Sequence, residues 1–253
     1  MPVRHISVAL ALVAGLAFAP TVSARAAQET ETIDRTVPFP ASGTLKLNTF
    51  SGRVTITATN GRDVVIKAVR RATRERLDHI KLDISTTGST VRIDANKRDD
   101  SWHEDKDNVV STDFDIQVPA SAVLDVESFS SPINVTGIAG NERLKTFSAT
   151  ITVKSAKGAI DAETFSGGID IDAAGAGTQP DLNLHTFSGD ISARLDSNAK
   201  GSVEFESFSG RLDSDVALMM HSSSRRNVRG ELNGGSGRTI KLHTFSGDVK
   251  LRK

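Results

Sequence analysis

The sequence predicts an all-β fold, a β-solenoid whose rungs of about 18–22 residues stack along one axis. The first observation behind this prediction is a four-residue phrase, a hydroxyl residue followed by Phe, Ser and usually Gly, which occurs seven times. The second is the alternation of apolar and polar residues on both sides of the phrase, and the third is the near absence of helical periodicity. A phrase that recurs about every 20 residues is typical of repeat architectures, in which each unit buries its apolar face against the next.

The seven copies of the phrase are best located by their phenylalanines. From Phe129 onward, the steps from one phenylalanine to the next are 18, 18, 22, 21 and 37 residues. The copies that continue with Ser131 and Ala149 lack the glycine, so we expect those corners to be built differently. We interpret the 37-residue step as one longer return loop. The phenylalanines are Phe50, Phe129, Phe147, Phe165, Phe187, Phe208 and Phe245.

Each repeat has the pattern of two short strands joined by a corner. Residues 182–193 show it well, because apolar residues alternate with polar ones before and after the phrase. Gly189 lies between the two strands, where glycine adopts backbone angles closed to other residues. Six such rungs from Leu124 to the C-terminus, paired at about 4.8 Å, predict a core roughly 30 Å long.

The mature chain is expected to form a single domain, residues 27–253, in two parts. Residues 123–253 hold the regular repeats, and residues 27–122 are expected to form irregular first rungs with longer excursions between them. Helical periodicity is confined to residues 72–80, and even there residues 77–84 fit a strand better. The strands expected in the irregular part lie within residues 44–58, 64–69, 80–84, 91–95 and 114–118.

The alternation places the hydroxyl residue and the phenylalanine on opposite faces of the strand, as Thr186 and Phe187 illustrate. If the strand stays straight up to the corner, the rings point away from the core and stack into an aromatic strip, which would mark a contact surface. One alternative is a bend at the Thr–Phe bond that turns the rings onto the core, and another is that the irregular N-terminal part covers them. The predicted interaction strip consists of Phe129, Phe147, Phe165, Phe187, Phe208 and Phe245.

The first 26 residues have the features of a secretory signal peptide. Arg4 and His5 provide a short basic start, residues 6–19 are uncharged and mostly apolar, and residues 24–26 (Ala-Arg-Ala) match the pattern before a cleavage site. We therefore expect an exported protein, periplasmic or extracellular, with the signal peptide cleaved near Ala26. No second apolar run approaches about 18 residues, so no transmembrane segment is expected after cleavage. The alternative is a retained N-terminal anchor helix.

The composition argues against several classes of function. Cleavage removes two of the 31 basic residues, Arg4 and Arg25, and leaves 29 against 31 acidic residues. This near-neutral balance gives no reason to expect nucleic acid as a partner. The chain has no cysteine, so disulfides and thiol catalysis are excluded and the fold must depend on packing and backbone hydrogen bonds.

No arrangement of residues predicts catalysis, a cofactor or a metal site. None of the six histidines has a second histidine two to four residues further on, the spacing typical of paired metal ligands. The Gly-x-Ser-x-Gly motif of serine hydrolases is absent as well. We therefore expect no enzyme activity.

Two polar segments allow a second interpretation. Asp99–Asp107, which contains the single tryptophan Trp102, fits a solvated loop, with cation binding as the alternative. The glycine-rich segment Gly230–Gly237 fits part of the longer return loop. Its flanking arginines would alternatively meet anionic lipid headgroups or sugar phosphates; they are Arg225, Arg226, Arg229 and Arg238.

The phrase Thr-Phe-Ser-Gly-Asp followed by Ile or Val, with alternating aliphatic residues before it, resembles the repeat of the bacterial putative adhesin family. The resemblance extends from about Thr36 to Lys253 and is strongest at His185–Ala193 and His243–Leu251. It implies the toastrack fold, a single-stranded right-handed β-helix, and offers no catalytic residues to carry over. It also links the chain to the cell envelope, to surface contact and to envelope-stress responses.

The expected function is that of a non-enzymatic exported β-solenoid, acting as a binding, adhesion or scaffold module of the bacterial cell envelope. Its partner would be a protein, glycan or lipid surface of the envelope. One alternative is an envelope-stress sensor module that contacts a membrane partner through the phenylalanine strip. A less favoured alternative is a β-helix enzyme acting on polysaccharide, because a chain with no tyrosine and one tryptophan offers few aromatic platforms for sugars.

Overall fold

The computed structural model describes residues 27–40, 42–99, 109–175, 177, 180–224, 226–235 and 237–253. Across these residues the chain forms 21 strands and one short helix. The elements of the first half are β1 (Gln28–Pro38), β2 (Thr44–Thr49), β3 (Gly52–Thr59), β4 (Asp63–Thr73), α1 (Arg74–His79), β5 (Ile80–Thr87), β6 (Thr90–Arg98) and β7 (Ser111–Pro119). The strands of the second half are β8 (Val123–Ser128), β9 (Ile133–Thr136), β10 (Glu142–Thr146), β11 (Ile151–Lys154), β12 (Ile160–Ser166), β13 (Ile169–Asp172), β14 (Leu182–Ser188), β15 (Ile191–Arg194), β16 (Gly201–Ser209), β17 (Leu212–Ser214), β18 (Leu218–Ser223), β19 (Asn227–Leu232), β20 (Arg238–Ser246) and β21 (Val249–Arg252).

The strands form two sheets that share one hydrophobic core. The ten-stranded sheet has the order β1-β4-β7-β3-β9-β11-β13-β15-β21-β17, and the eleven-stranded sheet has the order β18-β19-β16-β20-β14-β12-β10-β8-β2-β6-β5. Buried aliphatic side chains from both sheets belong to one continuous cluster. The fold is the predicted all-β solenoid. In the ranges given above, no helix is long and apolar enough to cross a membrane.

A rung consists of one strand from each sheet, and in seven of the eight rungs the Phe-Ser phrase forms the corner between them. Equivalent strands of neighbouring rungs pair in parallel and in register. Thr164 of β12, for example, lies beside Thr146 of β10 on one side and Thr186 of β14 on the other. In stacking order, the rungs are β6–β7, β2–β3, β8–β9, β10–β11, β12–β13, β14–β15, β20–β21 and β16–β17.

The last two rungs stack in the reverse of their order along the chain. The chain first forms the terminal rung β16–β17, then the antiparallel strands β18 and β19, and finally returns as β20–β21 between β14–β15 and β16–β17. The 37-residue step is therefore not one long return loop, because it contains two paired strands. The sequence of that segment has only a weak hairpin pattern. β19 becomes a strand through its pairing with β16, and β18 through its pairing with β19.

Antiparallel strands also extend the stack at its N-terminal end. β1 and β4 continue the ten-stranded sheet beyond β7, and β5 continues the eleven-stranded sheet beyond β6. Between β4 and β5, α1 begins after Thr73, whose Oγ1 accepts a hydrogen bond from the Arg76 N–H at 3.5 Å. The sequence predicts strands at residues 64–69 and 80–84, but as parts of the first rungs, whereas β4 and β5 lie outside the rungs. The sequence does not predict β1. Residues 77–79, interpreted as strand, belong to the helix because Leu77 packs against Ala72, Ile80 and Val110.

The hydroxyl residues that precede the phenylalanines form an inward column beside the aliphatic core, as the alternation predicts. Thr146, Thr164, Thr186 and Thr244 are all buried. Burying a hydroxyl without a partner is costly, and three of these groups donate a hydrogen bond to a carbonyl of the neighbouring corner. The bonds join Thr164 to Ala149 O at 3.2 Å, Thr186 to Gly167 O at 3.1 Å and Thr244 to Gly189 O at 3.3 Å.

Glycine at the corner is required by the close approach of neighbouring backbones. A Cβ atom on Gly167 would lie 2.0 Å from the carbonyl oxygen of Ala149, and one on Gly189 would lie 2.1 Å from that of Gly167. Only a residue without a side chain fits such a corner. The corner at Ser131 is built differently, as predicted: Ser131 is buried, and its N–H donates to Ser128 Oγ at 2.8 Å.

Candidate functional site

Seven phenylalanine rings stack face to face in one column along the outer side of the corners. We call this column the phenylalanine ladder, and it consists, in spatial order, of Phe50, Phe129, Phe147, Phe165, Phe187, Phe245 and Phe208. Successive ring centroids are 4.6–5.0 Å apart, and the angle between ring planes is 14° for the first pair and at most 6° for the others. The spacing equals the distance between paired strands, so the ladder is a direct consequence of in-register pairing.

The ladder follows the spatial order of the rungs rather than the order of the chain. Phe245 lies between Phe187 and Phe208, at 4.7 and 4.8 Å from them, because β20–β21 inserts before β16–β17. All six phenylalanines of the predicted strip are in the column, and Phe50 of the irregular part extends it by one ring.

The rings lie outside the core. Their exposed fractions range from 38% for Phe50 to 55% for Phe208. This geometry corresponds to a straight strand up to the corner, and the rings neither cap the core nor lie under the N-terminal strands. Each inner ring covers the faces of its neighbours, so that the ladder presents ring edges to solvent.

A groove runs beside the ladder on the outer face of the eleven-stranded sheet. It has a volume of about 450 Å³ and spans four rungs, from β8 to β14. One wall is formed by Phe147, Phe165 and Phe187. The floor is the strand surface at Ser128, Thr146 and Thr164, of which Thr146 and Thr164 turn their side chains inward, and the opposite wall carries Glu127, Lys145, Glu163 and His185.

The charged wall of the groove is internally paired. Lys145 Nζ donates a hydrogen bond to Glu163 Oε2, and this bond holds the pKa of the Glu163 carboxyl below its ordinary value. His185 follows Glu163 in the same row, and its ring stacks on that of His243 at 4.6 Å. The wall therefore has two carboxylates, Glu127 and Glu163, against one ammonium, Lys145, together with the imidazole of His185.

The arginines near the glycine-rich segment do not form one anion site. Arg226 lies over the end of the ladder, with its guanidinium carbon 5.0 Å from the centre of the Phe208 ring. Arg229 pairs with Glu204 at 2.9 Å, and Arg238 pairs with Asp181 at 3.2 Å. Arg225 lies outside the described residues.

The described part of the chain contains no group of three or more His, Asp or Glu residues that could hold a metal ion. Two segments for which the sequence makes predictions lie wholly or almost wholly outside the described residues. The predicted signal peptide, residues 1–26, lies outside the described residues, and so do residues 100–108, which include all of the polar Asp99–Asp107 segment except Asp99.

Glu142 is a buried acidic residue that the sequence analysis missed. It is 1% exposed, and neither of its carboxylate oxygens has a hydrogen-bond partner. Burial raises the pKa of its carboxyl to about 8. Its neighbours in register are Leu124 and Ile160, so a comparison of equivalent repeat positions would have shown an acid in an aliphatic column.

A second groove, of about 670 Å³, lies at the other end of the same strands. Glu142 is among its lining residues, together with Arg143, Asp161, Asp181 and Lys241. Asp161 accepts a hydrogen bond from Asn183 at 2.7 Å, and Asp181 pairs with Arg238. The rim is therefore balanced in charge and largely satisfied within the chain, in contrast to the unpartnered ring edges of the ladder.

The fold and the exposed ladder define a class of repeat protein, a β-solenoid with a continuous aromatic edge. The family model of Toastrack DUF4097 matches residues 41–252, and the chain belongs to that family. No match to a curated protein was found.

Three solved structures are similar to this chain, and the first of them shows a likeness of fold. A putative cell adhesion protein from Clostridium sporogenes ATCC 15579 has a TM-score of 0.52 and 10% identity, over 88% of this chain and 99% of that one. A putative adhesin from Bacteroides fragilis NCTC 9343 has a TM-score of 0.36 and 9% identity, over 87% and 97% of the chains. A putative adhesin from Parabacteroides distasonis ATCC 8503 has a TM-score of 0.29 and 9% identity, over 87% and 97%.

Proposed function

We propose that this chain is a non-enzymatic binding or adhesion module of the bacterial cell envelope and that the phenylalanine ladder is its contact surface. The observation that carries the proposal is the continuity of the ladder: seven exposed rings in contact over six steps of 4.6–5.0 Å. Single exposed apolar residues are normal on protein surfaces, whereas a contiguous apolar strip usually marks an interaction site.

The size of the ladder supports this interpretation. A phenylalanine side chain offers about 200 Å² of surface, so seven rings at 38–55% exposure present about 600 Å² of apolar area. This value is at the upper end of what a typical monomer exposes as its largest apolar patch. Covering the strip would remove most of that area from water, at a gain of about 25 cal/mol per Å² before the costs of association.

The Clostridium structure of similar fold is that of a putative cell adhesion protein, which agrees with the export that the first 26 residues predict. The polysaccharide enzyme has less support. A sugar packs its C–H bonds on an aromatic face, and the faces of the inner rings are occupied by their neighbours. A sensor that contacts a membrane partner would use the same ladder, and the envelope fraction that binds it distinguishes a sensor from an adhesin.

The test is co-sedimentation of the purified protein with separated outer membrane, inner membrane and peptidoglycan. The ladder variant carries Phe165→Ser, Phe187→Ser and Phe208→Ser. The matched control carries Val65→Ser, Met219→Ser and Met220→Ser, which remove three large apolar side chains that are 41–62% exposed outside the ladder. Circular dichroism and thermal melting first establish that both variants are folded.

We expect wild type and control to sediment with one fraction and the ladder variant to lose at least about tenfold in affinity, because aromatic anchors dominate the energy of most interfaces. Equal binding by all three proteins, or binding by none, would exclude the ladder as the envelope contact.

A further inference from the structure

We propose that the partner of the phenylalanine ladder is a second copy of this chain, whose ladder packs into the groove beside the first. This inference rests on the proposed function, since it names the occupant of the same surface. It depends on three features of the described residues: the shape of the ladder and groove, their area, and the distribution of charge around them.

The ladder and the groove are self-complementary in shape. The ladder is a straight ridge of ring edges, and the groove runs parallel to it over the rungs of Phe147, Phe165 and Phe187. A twofold axis that lies between ridge and groove and parallel to both places each ridge in the groove of the other copy. Such an axis keeps every rung at the height of the same rung in the partner, so the two ladders run in the same direction.

The area agrees with that of a stable dimer. A standard interface buries about 800 Å² on each partner. The exposed rings supply about 600 Å² of this area, and the charged wall of the groove, with Glu127 exposed and Lys145 and Glu163 half-buried, supplies more. The core of such an interface would be aromatic and its rim polar, as in homodimer contacts generally.

The charges permit this arrangement. With the ridges side by side, the charged wall of each copy lies on the far side of the partner's ridge, so the two rows of like groups are separated by two columns of rings. The wall of one copy then faces the corner serines of the other, and Ser148 and Ser166 are exposed there. A serine hydroxyl can donate to a carboxylate such as that of Glu163. The wall carries two carboxylates against one ammonium, and Lys145 is already paired to Glu163, so an anionic membrane surface is a poor match.

Analytical ultracentrifugation of the full protein between about 1 and 100 µM tests the inference. We expect wild type and the Val65, Met219 and Met220 control to form a reversible dimer. We expect the ladder variant to dimerise at least about 100-fold more weakly. A wild-type protein that is monomeric up to about 100 µM, or a ladder variant that dimerises like wild type, would overturn the inference.

The absence of cysteine from the chain allows a direct test of orientation. With the ladders in the same direction, Phe50 of one copy lies next to Phe50 of the other, so Phe50→Cys alone should form a covalent dimer under mild oxidation. Met219→Cys, at a position 62% exposed away from the ladder, is the control. Cross-linking of Phe50→Cys no greater than that of the control would overturn the proposed geometry.

The proposal of envelope binding and the proposal of self-association can be refuted independently of each other. If the second copy is the partner, wild type should sediment with envelopes of cells that produce the chain at least tenfold more than with envelopes of cells that lack it. Equal, ladder-dependent binding to both envelopes by a monomeric protein would keep the proposed function and overturn the second copy as partner. Loss of dimerisation without loss of envelope binding in the ladder variant would keep the dimer and overturn the ladder as the envelope contact.

Discussion

Glu142 shows how one residue can act against the fold that contains it. Its carboxyl group occupies a position where the neighbouring rungs have Leu124 and Ile160, and it has no hydrogen-bond partner. A buried carboxyl group without a partner costs several kcal/mol, or stays protonated so as to avoid the larger cost of a buried charge.

We predict that Glu142→Leu stabilises the protein. Leucine continues the aliphatic column and removes two unsatisfied oxygens, so the free energy of unfolding should rise by about 2–4 kcal/mol at pH 7. Urea unfolding followed by circular dichroism measures the change. Glu142→Gln is the control that keeps the shape and the polar atoms but loses the titration.

The same carboxyl makes stability depend on pH. Its pKa rises from an ordinary 4.5 to about 8 on folding, so between these values the folded state retains a proton that the unfolded state has lost. The contribution of this carboxyl to the free energy of unfolding should therefore fall as pH rises through this window, by up to about 1.4 kcal/mol per pH unit, and is fully present below pH 4.5. Glu142→Gln should remove this part of the slope. An identical slope in wild type and Glu142→Gln would show that the carboxyl is ionised in the folded state.

At the scale of the element, the corner is the unit that the chain repeats. Its glycine lets the backbone approach the rung below, its hydroxyl residue points inward to a carbonyl of that rung, and its phenylalanine points outward onto the next ring. The three residues therefore have three different partners in the same neighbouring rung, and this accounts for the regular spacing of the phrase.

We predict that Gly167→Ala destabilises the protein by about 3 kcal/mol, because its Cβ would lie 2.0 Å from the backbone oxygen of Ala149 and the rungs would have to separate. Gly61→Ala is the matched control, since a Cβ there meets only the side chain of Thr59, at 3.6 Å. It should change stability by less than about 0.5 kcal/mol. Thermal melting compares the two variants, and a loss at Gly167 no larger than at Gly61 would mean that the corners are not in close contact.

At the scale of the whole molecule, the C-terminal rung is enclosed rather than terminal. β20 is paired on one side with β14 and on the other with β16, and β21 is paired with β15 and β17. β20 and β21, which follow β16–β19 in the sequence, therefore complete the interior of both sheets, while β18 forms an outer edge.

We predict that the amides of β20 and β21 exchange with deuterium as slowly as those of β14 and β15, although they follow the outer strands β16–β19 in the sequence. Amides of the edge strand β18 should exchange at least about 100-fold faster, because their opening does not require separation of the rungs. Hydrogen exchange with peptide-resolved mass spectrometry measures this difference. Rapid exchange in β20–β21, with protection in β16–β17, would contradict the inserted position of the last rung.

Much of the fold and of the candidate site follows from local sequence pattern. The alternation around Thr186 and Phe187 specifies which side chains face the core, and the repeat of the phrase specifies that equivalent strands pair in register. Together they predict the inward hydroxyl column and the phenylalanine strip if the strand stays straight up to the corner, since pairing at the spacing of strands leaves each ring only the next ring to stack on.

The sequence alone therefore determined the rung, its corner and the alternation that puts the phenylalanines on the opposite face from the hydroxyl residues. The tertiary structure decided that the rings point away from the core, and it decided which rungs are neighbours: the insertion of β20–β21, the antiparallel strands at both ends, and the place of Phe50 at the head of the ladder. The physical reason is that all rungs carry nearly the same pattern of alternating residues, so any rung can pair with any other. The choice among neighbours depends on the length and pairing of the segments that connect them, and on the burial of the two ends of the stack.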